Sequence, residues 1–594
     1  MTLRRGVGFV LALIGLAAVV SVAALVVLYL AVGGGVGRGT RVPSAAALVL
    51  RPAGELQELA PDSVVGQFVD RGDDSLRSFV SALRRAKTDP RITSVVLLPG
   101  SLDSPYWGKL QELREAVLDF RRSGKPVTAF LEFGGDREYY LASAAEKVYL
   151  LPSSSLDLTG VANYEIFLRG VFDKIGAYPD FIHVGDYKTA TNQLTETGMT
   201  PEHREMAEAL TRDMFEQLLG GIADGRHKTV GQVRALVDDG PFLADAAVKA
   251  GLVDGVAYQD QLDDLVPVLQ RDGEAVKWIE AEDYDPGGDG VRLRRRPRIA
   301  VLYAVGTIVS GRSGFDATDG DLIGSDSIVE DIRRIRDDRS IRGIVLRIDS
   351  PGGSSVASDV ILRELMLTKE RDPERPIVVS MSDLAASGGY YIALAGDEIF
   401  AQPGTLTGSI GIFTGKIVYG GTLGKVGVTA EPVLQGVNAD IYSPLSRFTP
   451  AQREKVRVLL RDFYEEFLEL TATARKKTRD EVHAVAQGRV WTGAQAKERG
   501  LVDQLGGLDA AIEAVKERVG VRPEETVETV IYPRRRTLYE ALSDQFGRSS
   551  ASASLLGVLG GGRGPARAIA AATAPGRLFR RGEPLALMPF AFVR

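Results

Sequence analysis

The chain has 594 residues, among them 66 Gly, 27 Pro and no Cys, with 44% hydrophobic and 25% charged residues. At roughly 150 residues per domain this fits two to four domains with real cores, and it excludes wholesale disorder and a polytopic membrane protein. The net charge is 72 minus 78, or −6, which is no mark of a nucleic-acid binder; a Cys-free chain has no disulfide, thiolate nucleophile or thiolate metal site; and His183, His203, His227 and His483 lack metal-ligand spacing, so neither a metal nor a cofactor is expected.

In chain order, residues 1–6 form a short N-terminus carrying Arg4 and Arg5, and residues 7–32 are free of charge. As a helix those 26 residues would extend about 39 Å, enough to cross a hydrocarbon core of about 30 Å with some tilt. The run is longer than the apolar core of a cleaved signal peptide, so one uncleaved anchor is predicted. The positive-inside rule puts its N-terminus in the cytoplasm and everything after it on the far side.

An internal duplication follows. Ile92 to Leu97 (ITSVVL) returns as Ile341 to Leu346 (IRGIVL), and Tyr139-Tyr140-Leu141-Ala142 as Tyr390-Tyr391-Ile392-Ala393. Leu158-Thr159-Gly160 returns as Leu406-Thr407-Gly408, Thr200-Pro201 as Thr449-Pro450, and Gly251-Leu252-Val253-Asp254 as Gly500-Leu501-Val502-Asp503. Five matches in order, at offsets of 248 to 251, predict two copies of one domain, at 40–282 and 299–532. The Gly-, Pro- and Arg-rich stretch 283–298 reads as a linker. The basic, Ser/Ala- and Gly-rich tail 533–594 reads as poorly ordered or peripheral.

Each copy alternates strand and helix signals. In the second, Ile299 to Ser310 is a β-branched run, and Ser325 or Asp326 is placed to cap a helix whose Ile328, Ile332 and Ile335 share a face. Gly343 to Ile348 reads as a strand, Val356 to Lys369 as a helix, and Ile377 to Met381 as a buried strand before a helix starting near Ser387. Such alternation predicts an α/β fold with largely parallel sheets.

Two Gly-rich turns follow two of these strands: Asp349-Ser350-Pro351-Gly352-Gly353-Ser354 and Ala385-Ala386-Ser387-Gly388-Gly389-Tyr390. Strand ends of this kind hold ligands in α/β sheets, and Gly lets backbone amides converge on one point, as an oxyanion hole requires. Ser387, flanked by small residues, is the candidate nucleophile, and a nucleophilic Ser needs a base. His183, in the apolar stretch Phe181–Val184, reads as a packed core residue. His483 lies past the sheet. Carboxylates or a Lys of lowered pKa remain. Lys188, in Val184-Gly185-Asp186-Tyr187-Lys188-Thr189-Ala190, lies at a strand end of the first copy, while the second copy has no Lys between Lys425 and Lys455. Conversely, the first copy has Asp136 where the second has Ser387. Each copy holds half of a Ser/Lys pair.

The motifs RIDSPGGSSVAS (347–358), MSDLAASGGYYIA (381–393), PGTLTGSIGIF (403–413), VGDYKTA (184–190) and GRVWTG (488–493) together resemble the signal peptide peptidase A family in its long tandem form. The resemblance implies two tandem ClpP/crotonase-like domains after one N-terminal transmembrane helix. It implies Ser387 as nucleophile, Lys188 as general base, and oxyanion amides from Gly353 and Gly388. It further implies an inner-membrane enzyme with a periplasmic body, a homotetramer, and signal peptides and other apolar peptides as substrates, with no nucleic-acid partner. Asp383 departs from the family pattern, where a smaller or apolar residue is usual. Two other classes remain open on the residues alone: a crotonase-type acyl enzyme, which shares the oxyanion turns, and a non-catalytic scaffold, which the first copy by itself resembles.

Overall fold

The computed structural model describes residues 40–43, 45–59, 75–266, 277–285, 296–316, 320–523, 525–534, 582–588 and 592–593. The predicted membrane span at 7–32 lies outside the described residues. Among the described residues no helix is long and apolar enough to cross a membrane.

Two parallel sheets form the cores. The first runs in the order Gly255–Val256, Lys147–Leu150, Val127–Leu131, Ile92–Leu97, Ala46–Leu50, Lys277–Glu280. The second runs Leu406–Gly408, Ile377–Ala386, Ile341–Ser350, Arg298–Val305, Glu528–Tyr532, with Val490–Thr492 antiparallel at one end. Near-continuous burial along Ala46–Leu50, Ile92–Leu97 and Ile377–Ala386 is what helices on both faces of a parallel sheet demand.

The duplication is visible element by element. Helix Leu76–Thr88 corresponds to Ser325–Asp337, and the 26-residue helix Pro201–Arg226 to the 26-residue Pro450–Arg475. Both long helices start with Pro after a Thr cap and end at a residue in the left-handed region. Buried polar contacts repeat as well. Tyr139 Oη donates to the Leu252 carbonyl at 2.6 Å and Tyr390 Oη to the Leu501 carbonyl at 2.9 Å. Arg226 pairs with Asp254 as Arg475 pairs with Asp503.

Several local expectations shift. The strand predicted at 343–348 runs from Ile341 to Ser350, and the one predicted at 377–381 runs on to Ala386. Helix Ser325–Asp337 is capped by Gly324, so Ser325 is its first residue, while Ile328, Ile332 and Ile335 are buried as expected. The stretch read as a linker contributes at both ends: Tyr284–Asp285 pairs with Thr40–Arg41, and Arg298 opens a core strand. His183 is exposed, not packed, because it alternates outward along Tyr178–Val184.

The two halves are locked by buried charge. Arg347, fully buried, reaches Glu58 at 2.8 Å and Glu112 at 2.8 Å, and donates to Ser380 and Ser382. Burial alone would raise Glu58, but the Arg347 charge and hydrogen bonds hold it below the usual carboxylate range. Burial, together with the Glu58 charge, leaves Glu112 raised despite Arg347. Beside them Lys109, from helix Gly108–Arg121, meets Asp349 at 2.7 Å and Asp383 at 3.5 Å. Asp383 also accepts from the Lys109 amide at 2.8 Å. The unusual Asp383 is thereby explained: it docks the first half onto the strand that leads to Ser387. Burial pushes its carboxyl up to about 6, against the opposing pull of Lys109.

Replacing Lys109 with Met would strand two buried carboxylates. A loss of about 3–5 kcal/mol is expected in denaturant unfolding at neutral pH. The loss should shrink with falling pH, starting above the value of about 6 that Asp383 has beside Lys109, because protonating Asp383 removes a charge that only the folded state finds costly. A Lys109→Met protein as stable as the parent would contradict this account.

Candidate active site

A third, mixed sheet brings the halves' chemistry together. Its order is Gly314–Asp316, Gly320–Gly324, Thr307–Val309, Gly352–Ser354, Leu585–Leu587, Ile412–Val418, Tyr178–Val184. The last strand comes from the first half and pairs antiparallel with Ile412–Val418 from the second over seven residues. Just past it the chain turns at Gly185 and enters a short 3-10 helix after Lys188. The side chain of Lys188 is thus carried across the boundary.

Lys188 Nζ lies 2.7 Å from Ser387 Oγ, 3.0 Å from the Ser409 carbonyl oxygen and 3.0 Å from Ser409 Oγ. Both Lys188 and Ser387 are 0% exposed. Burial drives the Lys188 amine well below its ordinary range, since a charged ammonium loses its hydration there. A neutral amine has two N–H donors and one lone pair. In the neutral form, with its two donors on the two Ser409 oxygens, the amine would have its lone pair left for the Ser387 hydroxyl. The arrangement holds an amine in contact with a serine hydroxyl at proton-transfer distance.

The backbone around it is strained in a directed way. Ser387 has φ 55° and ψ −111°, and Ser409 has φ 52°. Side chains seldom adopt that region, and such residues gather at functional sites. Ser387 is pinned there by its own N–H donating to the Gly408 carbonyl at 2.7 Å, and its carbonyl accepts from Tyr391 N at 2.8 Å. It ends the strand Ile377–Ala386 and precedes the six-residue helix Gly388–Ala393.

Gly353 lies on the neighbouring strand rather than in a turn, because Gly352–Ser354 pairs with Ile308 and so forms a short strand of its own. A Cβ built on Gly388 would come 3.1 Å from Gly353 N, so the two glycines border one space. The structure therefore brings Ser387, Lys188, Gly353 and Gly388 together within one chain. In the first half, Asp136 stands at the matching helix start and accepts from the amides of Thr159 at 3.1 Å and Gly160 at 2.9 Å. Burial pushes its carboxyl up to about 6. An acid tied to two amides is no nucleophile for acyl transfer.

Sequence reasoning missed Ser409. It sits in the motif 403–413, but a second Ser with no nucleophilic neighbour carries no signal of its own. It also missed Gly488: a Cβ there would lie 2.5 Å from both Cα and N of Lys188. Nothing but hydrogen fits between that loop and the backbone of the base.

Comparison with known proteins places the chain in a family. The model for peptidase family S49 matches twice, over residues 119–270 and 369–522. The chain is 34% identical over 461 residues to a chloroplastic serine protease, SPPA, of Arabidopsis thaliana, covering 76% of this chain and 67% of that protein. It is 33% identical over 454 residues to Protease 4 of Salmonella typhi, covering 74% and 71%, and 31% identical over 466 residues to Protease 4 of Haemophilus influenzae, covering 76% and 74%.

The steric role of Gly488 is testable. Gly488→Ala must displace the Lys188 backbone, and its φ of 81° adds strain. Displacements of about 1 Å at a reacting group cost about 100-fold, so labelling of Ser387 by a fluorophosphonate should slow by about that factor. Gly198→Ala, where a Cβ meets nothing within 4 Å, should label at the parental rate. Equal rates in the two variants would remove Gly488 from the site.

Proposed function

The chain belongs to peptidase family S49, and from that premise we propose that it is a membrane-anchored serine peptidase that hydrolyses signal peptides left in the membrane, using Lys188 as base and Ser387 as nucleophile. The 2.7 Å contact between a buried, neutral-leaning Lys188 and Ser387 carries the reading. Lys188 takes the hydroxyl proton as Ser387 Oγ attacks the scissile carbonyl. The developing oxyanion is held by the amides of Gly353 and Gly388, interactions worth about 3–4 kcal/mol per donor elsewhere. The Lys188 ammonium then protonates the leaving amine, and water, deprotonated by Lys188, hydrolyses the acyl-enzyme. Ser409 is a positioning residue: it fixes the amine so that its lone pair points at Ser387.

The paired α/β halves, with their parallel sheets and repeated helices, support a ClpP/crotonase-like fold for each domain, at 40–282 and 299–532. The charge-free run at 7–32 behind Arg4 and Arg5 supports a single-pass anchor in the inner membrane with the catalytic body on the periplasmic side. A homotetramer enclosing the sites is part of the same reading, and Val433 and Val437, both 94% exposed, are apolar surface that a second copy could cover. Apolar, extended peptides suit such a chamber.

Activity should rise with pH along one limb. Only neutral Lys188 is a base, so kcat/KM follows deprotonation of an amine that burial holds well below its ordinary range. Lys188→Arg keeps the charge and cannot deprotonate, so it should abolish hydrolysis of a fluorogenic peptide. Lys188→Met should be equally inert yet more stable than the parent at neutral pH. Between the folded and unfolded pKa values the unfolded state binds the proton and the folded state does not, so the buried amine subtracts stability there, and stability rises with pH across that window. A Lys188→Arg enzyme of near-parental rate would remove Lys188 from the mechanism.

The orientation has its own test. Alkaline phosphatase fused after residue 60 should be active, and a reporter that works only in the cytoplasm should be silent at the same position; the reverse pattern would overturn the anchor's direction.

A further inference from the structure

The loop between helix Arg479–Val485 and strand Val490–Thr492 closes over the buried amine. Its main chain bonds both to the segment that carries Lys188 and to the segment that carries Ser409. Tyr187 N donates to the Gln487 carbonyl at 2.9 Å, Gly488 N to the Ile410 carbonyl at 2.7 Å, and Ser409 N to the Arg489 carbonyl at 2.8 Å. A Cβ on Gly185 would lie 2.5 Å from the Gln487 carbonyl oxygen. The loop thus touches the Lys188 segment at van der Waals distance, although the two belong to different halves of the chain.

One side chain of the loop reaches across that boundary. Arg489 Nη1 donates to Glu205 Oε1 at 2.6 Å, and Glu205 Oε2 accepts from Tyr187 Oη at 2.9 Å. Glu205 lies near the start of helix Pro201–Arg226, and Tyr187 directly precedes Lys188. The guanidinium sits 4.6 Å from the Tyr187 ring centroid and 4.4 Å from that of Trp491, as cations sit over aromatic faces. Hydrogen bonds from Arg489 and Tyr187 hold the Glu205 carboxyl below its ordinary range, and the bond to Glu205 raises the Tyr187 phenol, so the three groups keep their charge states across neutral pH. Glu205 is 57% exposed. A pair so open to water adds little to global stability; its effect is local.

We propose that Arg489 is a positioning residue for the reaction: by binding Glu205 and Tyr187 of the first half, it clamps the 486–489 loop of the second half over Lys188 and keeps water from the amine. The inference rests on the Ser387/Lys188 reading above. Burial lowers the proton affinity of Lys188 because it denies the ammonium its hydration. A loop that swings away restores that hydration, and the amine stays protonated to a higher pH. The titratable and charged groups on the segments packed here are Asp186 and Tyr187 beside Lys188, His183 on the strand before it, Glu205 on the long helix and Arg489 on the loop. Behind the loop stand Tyr464, whose Oη accepts from Gln487 N at 3.2 Å, and His483, whose Nδ1 lies 3.0 Å from that oxygen. Charge alone would give the two ends of the clamp opposite signs. Loss of Arg489 removes a positive charge and raises the proton affinity of Lys188, whereas loss of Glu205 removes a negative charge and lowers it. Opening the loop raises it in both cases.

The pH dependence of kcat/KM for a fluorogenic peptide, measured on the full chain in detergent, tests the clamp. Arg489→Gln and Glu205→Ala should both move the limb that reports Lys188 upward by about one pH unit, which is about tenfold in rate at a pH below it, and most of the lost rate should return above the limb. Arg489→Lys, which keeps the charge without the planar stack, should lie between parent and Arg489→Gln. Arg499→Gln removes a different cation from the Trp491 ring, 3.8 Å from its centroid, and should leave the limb where the parent has it. A limb that stays in place or moves down in Glu205→Ala would overturn the clamp, and so would an equal loss of rate at every pH. Glu205 occupies an exposed helical position where Ala is well accommodated, so this variant decides the matter even where Arg489→Gln does not fold. A Lys188→Met protein of near-parental rate would overturn the Ser/Lys reading itself, and the clamp with it; an inert Lys188→Met protein beside an unmoved limb in Glu205→Ala would overturn the clamp alone.

Discussion

A buried amine pressed against a serine hydroxyl sets the terms for the rest of the molecule. Full burial drives the Lys188 amine well below its ordinary range, and burial of that completeness needs a wall on every side. One half of the chain supplies the amine and the other supplies the serine, the Ser409 oxygens and the loop at Gly488. With Lys188 as the proposed base, chemistry is tied to assembly: either half, folded alone, would expose Lys188 to water or leave Ser387 without a proton acceptor.

The join must then be strong without filling the space that the substrate needs. Apolar surface serves part of it, since residues of the second half such as Leu384, Leu406 and Val490 belong to the core cluster of the first. Position is set by charge. Arg347 and Lys109 each meet two carboxylates in buried surroundings, and such groups tolerate little displacement because an unpaired buried charge is costly. Three of the partners, Arg347, Asp349 and Asp383, lie on the two strands that lead towards Gly353 and Ser387. The lock is built into the elements that aim the site.

Much of this was legible in the sequence, because duplication supplies an internal control. Comparing Asp136 with Ser387, and Lys188 with its missing counterpart, isolates the residues that differ for chemical reasons from those shared for packing. Regular elements were readable where burial imposed a period, as in Ile328, Ile332 and Ile335. What escaped has a common physical cause: it depends on long-range contacts that leave no local pattern. Glu58 and Arg347 are 289 residues apart. Ser409 matters only through its carbonyl and hydroxyl beside an amine from the other half. His183 looked like core because its neighbours are apolar, yet strand alternation turns it outward. The tail strand is three residues long, too short for any periodicity, and the surrounding Gly, Ser and Arg dominate its composition.

The placement of that short strand also bears on recognition. With it set aside, Gly352–Ser354 and Ile412–Val418 are two strand edges facing each other across a gap one strand wide. A gap of that width accepts an extended backbone and refuses a helix, which is about 10 Å across. Most of the grip is main-chain hydrogen bonding, which reads no sequence, so selectivity must come from the few enclosed side-chain positions. A folded protein cannot offer a free strand to both edges, whereas a peptide released from its partner structure can. Helical segments in a membrane satisfy their own backbone, and entering this cleft obliges them to unwind first. The edge strands then supply main-chain hydrogen bonds in place of some of those given up.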